Sequence, residues 1–125
     1  MSAQPADPKA PAIAAPQAAL AWCPYPDHDA ARAAATAMLD QGLIACANIL
    51  PPVQSLFLWE GEVNQSTEVG VLFKTTAERL DRLISRLGDG HPYDTPAVIG
   101  WRCDAAYPQT LAWLERMLGE AQRHE

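Results

Sequence analysis

The sequence predicts an α+β sandwich of βαββαβ order, with an extra C-terminal helix and a long hairpin between its second and third strands. Three observations carry this prediction. Apolar residues recur at helical spacing around residues 31–39, 80–87 and 111–118. Val69, Val71 and Phe73 alternate with Glu68, Gly70, Leu72 and Lys74 at the period of a strand. And 125 residues are one domain's worth of chain.

The elements follow in order. Residues 1–17 are Pro, Ala and polar, with little to bury, and read as a disordered tail ahead of a domain over 18–119. "AALAWC" (18–23) reads as a strand that "PYPDHD" breaks. Asp27 is a good N-cap for a helix over 28–41 with Ala31, Ala34, Ala35, Met38 and Leu39 inward. Gly42 sits where a left-handed residue ends a helix. "LIACANIL" is a short apolar strand, interrupted by Pro51-Pro52 because proline cannot donate to a ladder. "VQSLFLWEGEV" resumes it, "EGEVNQS" is turn-like, and "TEVGVLFKTT" runs back to complete the hairpin. Thr75 with Glu78 fits a capping box, and Leu80, Leu83, Ile84 and Leu87 stripe the helix that follows. "GDG" ends that helix and "HPYDTP" leads into a last strand, "AVIGWRC". Leu111, Leu114 and Leu118 define the third helix, and residues 120–125 are a tail. This is the ferredoxin-like plan, with an expected strand order of 4-1-3-2.

Composition removes several functions. Acidic residues outnumber basic ones 15 to 9, for a net charge of -6, and phosphate recognition needs a basic face, so nucleic acid is not an expected partner. No apolar run is long enough for a membrane span, and the N-terminus does not read as a signal peptide, so the expected address is the cytoplasm. The three cysteines, Cys23, Cys46 and Cys103, form no CxxC pair and are expected as thiols.

The assumed topology decides which residues meet. Cys23, the "WEGE" corner and "HPYDTP" fall toward one end of the sheet. Cys46, Lys74 and Cys103 fall toward the other. Cys23 and His91 can therefore approach within one chain, while a site joining them to Cys46 needs chains packed end to side. The hairpin gives reason to expect such packing. Leu56, Phe57, Leu58 and Trp59 are consecutive, so half of them must face something other than a single small core.

These residues carry a family likeness. "LIACANILPPVQSLFLWEGEV", "EVGVLFKTT" and "HPYDTPAVIGW", in that order and spacing, resemble the CutA divalent-cation-tolerance family over roughly residues 18–118. Ala45-Cys46-Ala47-Asn48, Trp59-Glu60-Gly61, Lys74-Thr75, His91-Pro92-Tyr93 and Pro96 are its strongest signals. The resemblance implies a ferredoxin-like homotrimer, related in architecture to PII signalling proteins, whose subunits join through the long hairpin. It also implies a link to tolerance of copper and other divalent metals, with cysteines as copper ligands in some members and no enzyme activity. The sequence departs from the family pattern at Ala97, where glutamate is usual, at Glu62, where lysine is common, and at Cys103.

Each candidate residue has a structural and a functional reading. Cys46, in an apolar strand, is either a buried thiol or a ligand for Cu(I), which soft thiolates suit. Cys23, before a Pro-rich loop, is expected to be the more accessible thiol and the better metal or oxidation site. His91 is a ligand or base, or with Tyr93 it fixes a corner held by Pro92 and Pro96. Lys74 caps a strand end or contacts an anion, Trp59 packs in an interface, and Glu60 and Glu68 are solvated charges. Cys23 with His91 is the one nucleophile–base pair the topology permits, and no oxyanion-hole motif accompanies it, so an enzyme is not expected. Two functional expectations result. In the first, a trimer binds copper or another divalent metal through Cys23, Cys46 and His91, with no cofactor required. In the second, a PII-like module takes a small anionic ligand or a protein in intersubunit clefts through Trp59, Lys74, His91 and Tyr93.

Overall fold

The computed structural model describes residues 15–123; most of the expected N-terminal tail (1–14) and residues 124–125 lie outside it. The elements are β1 (Ala18–Tyr25), α1 (His28–Asp40), β2 (Cys46–Ile49), β3 (Val53–Trp59), β4 (Glu62–Thr76), α2 (Ala77–Asp89), β5 (Ile99–Arg102) and α3 (Pro108–Arg123). This is the expected order, with the second strand split at Pro51-Pro52. Order begins before Ala18: the Gln17 carbonyl accepts from Ala77 N at 2.9 Å, and Gln17 Nε2 donates to the Cys103 carbonyl at 3.3 Å. At the other end α3 continues to Arg123, past the boundary expected at 119.

β4 organises the sheet, whose order is β2-β4-β1-β5, with β3 paired to the N-terminal half of β4. All pairings are antiparallel. The hairpin turns in two residues, Glu60 and Gly61, both at positive φ (52° and 80°). Two such residues match the right-handed twist of the flanking strands, which is why so long a ribbon can turn so tightly. Pairing resumes at once with Trp59 opposite Glu62, so the "EGEVNQS" turn is shorter than its composition suggests.

One face of the sheet is covered by α1 and α2. Cys23 lies opposite Val71 and Ala21 opposite Phe73, and residues directly opposed across a ladder share a face. That face meets Leu80, Leu83 and Leu87 of α2 and Ala31, Ala35 and Met38 of α1 in a single buried cluster. Asp27 caps α1 as expected, its side chain accepting from Ala30 N at 2.8 Å, and Gly42 is left-handed at φ 70°. Leu39 is exposed instead of inward, because it sits about 100° round the helix from Met38. Thr75 is not a helix cap. Its hydroxyl is buried and donates to the Leu43 carbonyl at 2.7 Å, and the N-cap is Thr76. α3 packs on β4 with Leu114 and Leu118 buried outside the α1/α2 cluster, so it covers part of the other face.

The rest of that other face has no cover in one chain. Trp101, Leu20, Lys74 and Cys46 form one row across it; Ile99, Trp22, Leu72 and Asn48 form the next. Ile99 is 62% exposed.

Candidate functional site

The "HPYDTP" corner is built on an extension of β1. The strand does not stop at Cys23 but continues through Pro24 and Tyr25. Proline is tolerated here for a local reason. The Ala18 carbonyl accepts from Cys103 N, so alternate residues of β1, Pro24 included, aim their backbone at β5. β5 pairs no further than Ile99 opposite Trp22, so the absent N–H of Pro24 costs no ladder bond. The free Pro24 carbonyl is instead met by His91 Nε2 at 2.7 Å. A carbonyl can only accept, so Nε2 carries the proton. His91 Nδ1 then accepts from the Tyr93 backbone N–H at 3.1 Å. The ring stacks on Tyr25, with centroids 4.6 Å apart, and tilts against Tyr93 at 4.7 Å. Both nitrogens are engaged and the residue is buried, so His91 fastens the corner to β1.

Tyr93 extends the chain of contacts outward. Its hydroxyl donates to Glu68 Oε2 at 3.0 Å. Burial, then the bond to Glu68 and the charge of that carboxylate, push the Tyr93 phenol up to about 12. It therefore stays protonated and a donor at neutral pH.

Cys23 is not the accessible thiol that its neighbouring prolines suggested. It is fully buried (0% exposed) on the helix-covered face. Burial pushes its thiol up to about 11, with the Tyr25 hydroxyl drawing it partly back and Glu68 adding to the rise. The Tyr25 hydroxyl itself meets full hydrogen-bond geometry with no described group, so its contact with the Cys23 sulfur is a weak one. Cys46 lies opposite Lys74 and Cys23 opposite Val71, so the two are about 10 Å apart along β4 and on opposite faces. Within one chain Cys23 and His91 are thus neighbours and Cys46 is remote. Among the described residues no three His, Cys, Asp or Glu side chains converge as a group that could hold a metal ion.

A cleft of about 680 Å³ opens beside the corner. Trp59 and Tyr93 line it; Lys74 and His91 do not. Lys74 is at the far end of the sheet, opposite Leu20 and Cys46. The cleft's other walls are residues the sequence did not single out for a site: Ser55, Phe57, Ser66 and Asp94, with Glu68, read there as solvated, in fact buried. Strand parity explains the set. Val53 opposes Glu68, Ser55 opposes Ser66, and Phe57 and Trp59 follow on the same hairpin face. Leu56, Leu58 and Val63 take the opposite face by parity, where Leu58 is 75% and Val63 72% exposed, and Leu58 is the one hairpin residue that also borders the cleft against that parity. Ala97 also lines the cleft, so the position where the family resemblance implies glutamate is apolar in this chain.

Comparison with known proteins agrees with this architecture. The model of the CutA1 divalent ion tolerance protein family matches residues 19–117. The divalent-cation tolerance protein CutA of Salmonella newport (strain SL254) is 36% identical over 112 residues, covering 90% of this chain and 97% of that one. The crystal structure of the divalent ion tolerance protein CutA1 from Ehrlichia chaffeensis superposes with a TM-score of 0.78 at 29% identity, over 82% of this chain and 95% of that one. The periplasmic divalent cation tolerance protein CutA from Archaeoglobus fulgidus gives 0.77 at 26% identity, over 81% and 98%. A family match over residues 19–117, together with a relative this similar over nearly its full length, shows that the chain belongs to the CutA1 divalent ion tolerance family.

Proposed function

We propose that the chain serves divalent-cation tolerance as a homotrimer, and that copper or another soft divalent metal is held between copies rather than within one. The observation that carries this reading is the uncovered apolar surface. Leu56, Leu58 and Val63 on the hairpin, with Ile99 and Trp101 on the open sheet face, are large, exposed and unpartnered in one chain. Exposed large apolar residues in such number mark association, and β3 offers a free edge for a neighbouring strand.

Cys46 supports the metal part. It is half-buried on the open face, where a second copy packs, and thiolates suit soft metals. Cys23 and His91 keep structural roles: one is buried and protonated at neutral pH, the other spends both nitrogens on backbone. The same facts argue against a Cys–His hydrolase, which needs an activated thiolate. The compartment we propose is the cytoplasm, supported by three cysteines that stay unpaired.

Native mass spectrometry of the reduced protein, with and without one equivalent of copper(I) per chain, tests both parts. The expected result is a trimer that retains copper, loses it in Cys46→Ala and keeps it in Cys23→Ala. A bare trimer, or retention by Cys46→Ala, overturns the metal part. A monomer overturns the assembly part.

A further inference from the structure

We propose that the cleft between the hairpin and the "HPYDTP" corner binds an organic cation, an alkylammonium or guanidinium group carried on an apolar body. The starting point is Glu68. Its side chain is only 8% exposed, yet the carboxylate has one donor, the Tyr93 hydroxyl on Oε2. Oε1 accepts no hydrogen bond from the described residues and keeps contact with solvent, since Tyr25 Oη is the one fully buried side-chain polar atom left unpaired among them, and the one ion pair among them, Arg79–Glu78, is elsewhere. Glu68 thus presents one free carboxylate oxygen from a mostly buried side chain to the cleft, where an incoming cation or donor can meet it. Tyr93 cannot supply the charge, because its phenol is a neutral donor.

The walls select the kind of cation. Asp94 adds a second carboxylate at the mouth, and no basic residue lines the cleft, so an anion is repelled. Ser55 and Ser66, opposed across the ladder, bring two hydroxyl acceptors to the same face as Glu68. Phe57, Trp59 and Tyr93 supply aromatic surface, which attracts cations and shelters an apolar body. A bare metal ion is poorly served, since the described residues offer no third ligand. The volume, about 680 Å³, suits a small organic molecule. The charge preference is the reverse of the anionic ligand expected from Lys74 and His91, neither of which reaches the cleft. The inference uses one chain's residues and is independent of any metal at Cys46.

Isothermal titration of the full-length protein with three matched probes tests it: benzylammonium, benzyl alcohol and benzoate. The expected result is saturable binding of benzylammonium, with benzyl alcohol and Glu68→Gln each weaker by about tenfold or more, the value of a charged hydrogen bond. The exposed Asp94→Asn keeps the test informative should Glu68→Gln unfold, and weakens benzylammonium by a smaller factor. Benzoate binding as well as benzylammonium overturns the proposal. So does benzylammonium affinity that neither substitution changes. An absence of saturable benzylammonium binding also overturns it, whether the cleft is empty or filled by a basic side chain of a second copy.

Discussion

The two faces of the sheet carry similar kinds of side chain and meet different fates. On one, Val71, Phe73 and Cys23 lie under two helices and lose all contact with water. On the other, α3 covers part, while Ile99 and Trp101 stay open; out on the hairpin, beyond the helices, Leu56, Leu58 and Val63 stay open too. A single chain has three helices and one long ribbon, too few elements to cover both faces and the ribbon. The covered face is therefore where the chain stores its own stability, and in the proposed trimer the open face with the hairpin is where it stores association. Burial of a large apolar side chain stabilises by about 1.5–3 kcal/mol on either side, but on the open side only when a second copy arrives.

Substitutions on each side sharpen that contrast. The largest expected effect is all-or-none: Leu58→Glu with Ile99→Glu reduces the native mass to that of one chain, with the helical circular dichroism retained. An unchanged oligomer would break the comparison, showing that association uses other surface. Next, Phe73→Ala on the covered side costs about 3–5 kcal/mol in denaturant unfolding, since it empties a fully buried site.

A smaller effect comes from pH. The Cys23 thiol rises from 9.0 to about 11 on folding, which corresponds to about 3 kcal/mol favouring the protonated folded state. Because the folded value is the higher one, this stabilisation is complete below about pH 9 and is lost as pH rises through about 11. Tyr93, pushed up to about 12, adds loss in the same direction at higher pH. Denaturation midpoints from pH 8 to 10.5 should fall more steeply for the wild type than for Cys23→Val. The smallest is Thr75→Val, about 1–3 kcal/mol, because it leaves the buried Leu43 carbonyl without its hydroxyl donor. A loss below about 0.5 kcal/mol would show that water replaces that donor and that the face is less tightly sealed.

The legible parts of the fold were those set by local chemistry. Asp27 and Gly42 announce the ends of α1, alternation announces β4, and the stripe of Leu80, Leu83 and Leu87 announces α2. Once the topology was assumed, the grouping of residues by sheet end followed. What was hidden depends on distant partners. Thr75 has the spacing of a capping box, but its hydroxyl serves a carbonyl 32 residues away. Cys23 precedes a proline, which reads as a strand end; only the length of β5 decides that β1 can run on and bury the thiol. Glu68 looks like one more charge in an acidic chain. Its burial comes from a corner 25 residues later that brings Tyr93 over it. Parity across the hairpin was the available clue. Counting by twos back from Trp59 and forward from Glu62 places Phe57, Ser55, Ser66 and Glu68 on one face.

The central position of β4 has a consequence for how the protein is made. β1, β2 and β3 all pair with it, and not with one another. A chain emerging from the ribosome presents those three strands first, each waiting for residues 62–76. Until that segment has left the exit tunnel no ladder can close, so the first half of the protein is translated without a folded sheet to join. Its strand edges and the Leu56–Trp59 run are exposed to other nascent chains during that interval, and on a polysome those neighbours carry the same sequence. The interval is short at normal translation speed, about 5–20 residues per second. A pause between β3 and β4 would lengthen the one period when this chain is most open to pairing wrongly.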